Sequence, residues 1–223
     1  MEIIKGDIHK EILKIETNSI NLIYTNPPYN TTENEWDKPL DWKFLFKEMW
    51  RVLKPNGAII LHSSIPFTYD LIKVEKPKYH YIWIKDKATN FFHAKNQPLR
   101  IQEEILVYYK KKPTYNPQMI GNEFIKKGSA GNSNYYGSRG ENKKYETEEG
   151  HYGKYPNNVL YYPRHIRGFS TRPNDLVDYI IKTYSNENDK ILDITCYNFL
   201  TGIRAEKLNR NYIGIDLNPI YSV

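Results

Sequence analysis

The chain of 223 residues has almost no cysteine, with Cys196 alone. No intrachain disulfide can form, which fits a reducing cytoplasm. A lone thiol also removes the paired-cysteine spacings of a zinc site. The six histidines (His9, His62, His80, His93, His151, His165) show neither HxxxH nor HxH pairing, so no metal is expected. Cys196 is read as a small apolar filler rather than a nucleophile, because no proline precedes it. Long apolar runs are missing too. Nothing approaches the ~20 apolar residues that cross a membrane, and the opening MEIIKGDIHKEIL has no apolar stretch of secretory length. No Walker-type G-x-x-x-x-G-K-[ST] occurs, so nucleotide hydrolysis is unsupported. Repeats and heptads are absent. A cytoplasmic protein is expected, not a secreted, membrane or fibrous one.

What is present is a globular composition, 39% apolar and 14% aromatic. A chain of this length buries roughly 70% of its unfolded surface without staples. Its charge is uneven. The whole chain is +6, yet residues 76–154 alone hold 15 Lys/Arg against 8 Asp/Glu. The same third is rich in tyrosine and phenylalanine. Cations set among flat rings suit phosphate contact with base stacking. The same composition also suits an ordinary solvated surface.

Strand and helix signals alternate. Residues 19–25 read as a short buried strand, stopped by Asn26-Pro27-Pro28 because proline cannot donate to a ladder. Asp41 suits the cap of a helix from Trp42, ended by Pro55-Asn56-Gly57. Residues 58–62, 79–84 and 105–109 read as strands, and 66–72 as a helix. Residues 110–158 lose aliphatic periodicity and gain Gly, Asn, Ser and charge, which reads as an inserted, partly flexible region. The rhythm then returns with a helix over 176–181, a strand over 190–193, a helix over 201–208 and a strand ending at Asp216. The expected fold is one α/β Rossmann-like domain. Its sheet is mixed and mostly parallel, with helices on both faces. Residues 1–109 and 159–223 form its two halves.

The sharpest local signal is Thr25-Asn26-Pro27-Pro28-Tyr29-Asn30 after a buried strand. Two prolines stiffen the chain and remove two donors, leaving carbonyl acceptors. Asn26 adds a side-chain carbonyl and Tyr29 a flat face. Such a loop can accept both hydrogens of an exocyclic amine while a ring stacks on the base, holding a weak nucleophile in line with an electrophile. The same residues also suit a plain strand-ending turn.

Asn26-Pro27-Pro28-Tyr29 resembles the (D/N/S)PP(Y/F) motif of amino-methyltransferases that use S-adenosylmethionine. Gly6-Asp7, NSINLIYTNPPYNTTENEWDKP, RVLKPNGAIILHSSIPFTYDLI, WIKDKATNF, EEILVYYKKKPTYNPQM and YPNNVLYYPR extend the similarity to the permuted β-class DNA adenine-N6 methyltransferases, notably phage-type ones. The similarity spans Gly6 to Tyr221 and is weakest over 120–152, where that class carries target recognition. In that class the cofactor half follows the catalytic half, and the order here agrees.

The resemblance implies roles by position. Asn26, Pro27, Pro28 and Tyr29 would hold the target base. Asp7, Ile8, Ser170, Thr171, Asp193, Thr195, Asp216 and Asn218 would hold S-adenosylmethionine. Double-stranded DNA is the implied partner, and a homodimer is common in the class. Lys85, Lys87, Asn90, His93, Lys95, Arg100, Lys110, Lys111 and Lys112 are the candidate DNA contacts. One departure stands out. The class usually has D-P-F-x-G-x-G-T, and here Tyr197 and Phe199 replace both glycines. Glycine permits positive φ and close backbone approach, and aromatics do neither easily. The expectation is therefore a diverted loop or a reshaped pocket. Open alternatives are a catalytically weak or inactive DNA-binding homologue, and transfer to cytosine N4, to RNA or to a protein amide.

Overall fold

A computed structural model describes residues 1–89, 91–126, 150–164 and 172–219. The chain divides into two compact units, 1–116 with 157–223 and, separately, 117–156.

The larger unit is built on an eight-stranded sheet. In chain order its strands are β1 (Glu2–Lys5), β2 (Ile20–Thr25), β3 (Leu53–Ser63), β4 (Tyr79–Thr89), β5 (Arg100–Tyr108), β8 (Val159–Tyr161), β9 (Lys190–Asp193) and β10 (Asn211–Asp216). Their spatial order is β1-β10-β9-β2-β3-β5-β4-β8. Only β5 runs against its neighbours, pairing antiparallel with β3 and β4, so the sheet is mixed and mostly parallel as expected. Every residue of β2 but Asn21 is buried, as befits a central parallel strand covered on both faces. Ile23 faces a core with α1 (Ile8–Glu11), α2 (Trp42–Val52) and α3 (Phe67–Val74). Leu22 and Tyr24 face a second core with α4 (Asn174–Tyr184) and α5 (Leu200–Lys207).

From β2 the chain steps outward through β3. From β9 it steps the opposite way, through β10 to the N-terminal β1. The β2–β9 joint is therefore the point where strand order reverses, the usual place for a ligand crevice in such sheets.

Several elements differ from the sequence expectation. Pro55-Asn56-Gly57 does not end α2. The helix stops at Val52, capped at its start by Asp41 accepting from the Phe44 amide at 3.0 Å, and β3 begins at Leu53. The Pro-Asn-Gly segment is absorbed as an irregularity of the β2–β3 register between Ile20 and Leu22. The strand β1 was too short to show periodicity. Strands β4 and β5 are longer than their apolar cores because they form a protruding hairpin. In the smaller unit β6 (Ile120–Lys126) and β7 (Gly150–Lys154) pair antiparallel, so part of the expected insertion is ordered sheet. Residues 127–149 lie outside the described residues.

Gly57 lies tight against β2 and the start of β3. An added Cβ would meet the Asn21 carbonyl oxygen and the Leu53 side chain, each at 2.7 Å. Gly57→Ala should therefore destabilise the fold by about 1–3 kcal/mol, the usual cost of overpacking. Urea denaturation checks this, and an unchanged midpoint would contradict the close approach.

Candidate active site

The Asn26 loop leaves the carboxyl end of β2. Pro27 is buried, and Asn26, Pro28 and Tyr29 are half-buried. The Tyr29 hydroxyl donates to Asn26 Oδ1 at 2.9 Å. Its ring stacks on Phe67 of α3, with centroids 5.2 Å apart and planes 19° apart. Both groups of the expected base-holding loop already have partners within the chain. One lone pair of the Asn26 oxygen is taken, and the second remains for an amine hydrogen. One face of Tyr29 is covered, and a base can use only the other. Burial, followed by the nearby Glu103 carboxylate, pushes the Tyr29 hydroxyl well above its ordinary range, so it stays protonated and remains a donor.

Asp37, absent from the sequence expectation, anchors the chain beyond Tyr29. Its Oδ1 accepts from the Asn30 amide at 2.6 Å. Its Oδ2 accepts from the Thr31 amide, the Thr32 amide and the Thr32 hydroxyl at 2.8, 2.7 and 2.8 Å. Burial pushes this carboxyl up, but the Thr32 hydroxyl and the three amides outweigh it and hold it below the usual carboxylate range. The segment that carries Tyr29 is thus tied back onto one anion.

On the other side of the joint, β9 ends in Asp193. The Thr25 and Thr195 hydroxyls meet at 2.6 Å and close the β2–β9 seam. Asp193 is fully buried. Its Oδ1 accepts from the Thr195 amide at 3.1 Å, while Oδ2 accepts no hydrogen bond of normal geometry. Burial raises this carboxyl, and the Arg172 charge is the main influence opposing it. Arg172 is buried and lies over the Tyr24 ring at 5.7 Å. Ser170 and Thr171, just before it, lie outside the described residues. The Tyr24 hydroxyl meets His62 Nε2 at 3.0 Å. Burial, then Arg172 and Lys85, hold that imidazole well below its ordinary range, so it is neutral.

Tyr197 and Phe199 adopt φ of 39° and 58°, the left-handed region that glycine would favour. A non-glycine residue there costs about 1–3 kcal/mol. Phe199 recovers much of it, because its ring is buried in the α4–α5 core and such burial contributes roughly 1.5–3 kcal/mol. Tyr197 gains a different hold, since its amide donates to Asp216 Oδ2 at 3.0 Å. Asn218, otherwise exposed, donates its amide to Asp216 Oδ1 at 2.9 Å. Cys196 is buried filler.

Asp7 ends the β1 segment. It caps α1 by accepting from the His9 amide at 2.9 Å and lies 3.0 Å from His9 Nδ1. The amide bond from His9, then its ring, lower this carboxyl. The Ile8 side chain belongs to the core. Four neighbouring strand ends, β1, β10, β9 and β2, therefore present Asp7, Asp216, Asp193 and Asn26 in spatial order.

The basic residues separate. Lys85 is buried, ion-paired with Glu103 and 5.2 Å over the Trp83 ring, so it is spent inside the fold and does not reach a phosphate. Lys87, His93 and Lys95 are exposed and Arg100 half-exposed on the β4–β5 hairpin, at the end of the sheet that carries the Asn26 loop. Asn90 lies outside the described residues. Lys110, Lys111 and Lys112 follow β5 to the opposite end, where Lys110 lies 4.8 Å over Trp50 and the Thr114 amide donates to Asn56. The sheet does not bring them to Asn26. Among the described residues no three His, Cys, Asp or Glu side chains gather as a metal site.

Comparison with known proteins resolves the class. A family model described as DNA methylase, of the N6/N4 type, matches residues 20–222. The chain belongs to the DNA methylase family. This methylase is 29% identical to the DNA adenine methyltransferase YhdJ of Escherichia coli K12, over 98% of the chain and 79% of that protein. It is 28% identical to the type II methyltransferase M1.MboII of Moraxella bovis, over 93% of the chain and 88% of the relative. Among solved structures, the PvuII cytosine-N4-specific DNA methyltransferase superposes with a TM-score of 0.66 at 15% identity, over 98% of this methylase and 82% of that chain. M1.HpyAVI gives 0.60 at 19% identity, over 97% and 92%. These two show that the fold is that of DNA methyltransferases.

Two outcomes test the loops. Asp37→Ala should cost about 2 kcal/mol at pH 7, since it removes four hydrogen bonds to one charged, buried side chain. A carboxyl held low contributes stability above its unfolded value near 3.9 and loses it as pH falls through the folded value. The wild-type advantage in urea melts should therefore persist down to about pH 4 and vanish below. Tyr197→Gly should change stability by less than about 1 kcal/mol, because relieved strain is offset by a freer unfolded chain. Phe199→Gly should lose about 3 kcal/mol with its buried ring. Equal melts for the two variants would contradict the packing of Phe199.

Proposed function

We propose that this DNA methylase moves the methyl group of S-adenosylmethionine to N6 of adenine in double-stranded DNA. The observation that carries the reading is the β2–β9 joint, which sets the Asn26 loop beside the Asp193 loop across the Thr25–Thr195 contact. A family that covers N6 and N4 amines, and a relative named for adenine, support the same choice. Asn rather than Ser at position 26 favours adenine.

The residues present fit the cofactor. Three adjacent strand ends offer carboxylates, and Asp193 keeps a buried oxygen without a hydrogen-bond partner. In this reading Asp193 and Thr195 hold the methionine end, Asp216 and Asn218 the ribose, and Asp7 and Ile8 the adenine. Ser170 and Thr171 complete the set by their match to the class. When bound, S-adenosylmethionine supplies a sulfonium methyl, which is already a strong electrophile.

The chain's own work is done on the acceptor base. That base must leave the duplex, because its amine is otherwise paired. Asn26 Oδ1 and the Pro27 carbonyl accept the amine hydrogens and orient the nitrogen lone pair. Tyr29 stacks on the ring with its free face. Its hydroxyl and Phe67 keep that face fixed, and Asp37 keeps the loop from swinging. Lys87, His93, Lys95 and Arg100 steer phosphates at the same end. The retained left-handed loop at Tyr197 and Phe199 supports an active enzyme over a lapsed one.

Modification sequencing of DNA co-expressed with this chain should show N6-methyladenine in one sequence context. N4-methylcytosine instead would overturn the adenine assignment and keep the loop chemistry. Asn26→Ala should lower methyl transfer at least ~100-fold, the scale of one preorganised polar group, while DNA binding survives. Full activity in that variant would sink the role of the loop.

A further inference from the structure

The β4–β5 hairpin outruns the sheet. Ser63, the last residue of β3, pairs with Glu104, while β4 and β5 continue to the Thr89–Arg100 pair. Residues 91–99 project past the carboxyl ends of β2 and β3, on the side of the Asn26 loop. The tip is a short 3-10 turn, Phe91–His93, closed by its own backbone. Ala94 donates to the Phe91 carbonyl at 3.1 Å, and Asn96 and Gln97 donate to His93 at 2.9 and 3.0 Å. This ordered turn holds two phenyl rings in water. Phe91 is 61% exposed and Phe92 is 100% exposed.

Nothing in the larger unit's two cores uses these rings. Around them the charge is positive. Lys87 and Lys95 are exposed, and the Asp86 carboxylate accepts the Arg164 amide at 2.9 Å. The hairpin is also coupled to the base-holding loop. Glu104 accepts from the Thr68 hydroxyl at 3.3 Å, and Thr68 follows Phe67, on which Tyr29 stacks.

Resting on the methyl-transfer reading, we propose that Phe91 and Phe92 form a wedge that enters the duplex and fills the gap left when the target base is withdrawn. An emptied base step is a slot with π-faces above and below and phosphates at its rim. Two phenyl rings match the slot, and the cations beside them match the rim. Aromatic and apolar side chains unstack base steps in this way elsewhere, and stacking on a base tolerates any sequence. The wedge lies at the same end of the sheet as Asn26, so filling the gap and seating the base occur together.

The test needs no knowledge of the recognition sequence. A 30-base-pair duplex is compared with the same duplex carrying one abasic site, by fluorescence anisotropy with the full chain. Wild type should prefer the abasic duplex about tenfold, the scale of one aromatic–base stack. The double variant Phe91→Ala/Phe92→Ala should lose that preference and keep its salt-dependent affinity for the intact duplex. Phe92→Trp should restore it. The positions are exposed, and an unchanged urea midpoint shows that the fold is intact. Retained abasic preference in the double variant overturns the wedge. So does conversion of a dimer to a monomer by the double variant without loss of that preference, which would give the rings to a second copy. Wild type that prefers the abasic duplex but transfers no methyl group would sink the methylation reading and leave the wedge standing.

Discussion

Everything at the site depends on the parallel pairing of β2 with β9. The pairing is short, Leu22 with Ile191 and Ile23 with Leu192. It joins segments from the two halves of the chain, one before and one after the smaller unit. Beyond it the two strands diverge into loops of opposite character. One is rich in carbonyl acceptors, and the other begins with a buried carboxylate. The contact of Thr25 with Thr195 fixes their spacing without bringing either polar loop into the sheet. Hydroxyls suit this position because each can donate and accept, so neither loop has to supply a charge.

Around the joint, local anions hold shape by accepting backbone amides rather than by facing cations. Asp37 does so for the segment after Tyr29, Asp216 for the Tyr197 loop and Asp7 for the first helix. Such bonds have fixed direction and little side-chain entropy to lose, so they place a loop better than a surface ion pair would. Two ion pairs lie deeper. Lys85 with Glu103 and Arg204 with Asp178 tie neighbouring elements together.

Much of this was legible in the sequence, for physical reasons. Strand β2 announces itself because both faces must be apolar, and Asn26-Pro27-Pro28 because proline cannot remain in a ladder. Asp193 and Asp216 stand out as acids closing apolar runs. Asp37 could not be found, because its role exists only once the chain doubles back on Asn30. Lys85 read as surface, since an alternating strand hides nothing about Glu103 across the hairpin. Lys110, Lys111 and Lys112 were visible as charge, but only strand direction decides which end of the sheet they occupy. The left-handed aromatics reverse a rule that holds on average. Phe199 can bear the strain because a buried ring offsets it, and burial is a tertiary fact.

The separation of β2 from β9 along the chain has a consequence for synthesis. A ribosome that has made the first 109 residues has produced β2 with its β9 edge bare. That edge is almost wholly apolar, with unpaired amides and carbonyls, the kind of surface that recruits other strands. It must wait through the smaller unit and α4 before its neighbour emerges. Such long-range pairing is slow to form, and the waiting half is the species most exposed to aggregation and chaperones. The two loops of the joint can therefore meet only after the chain has been read past β9.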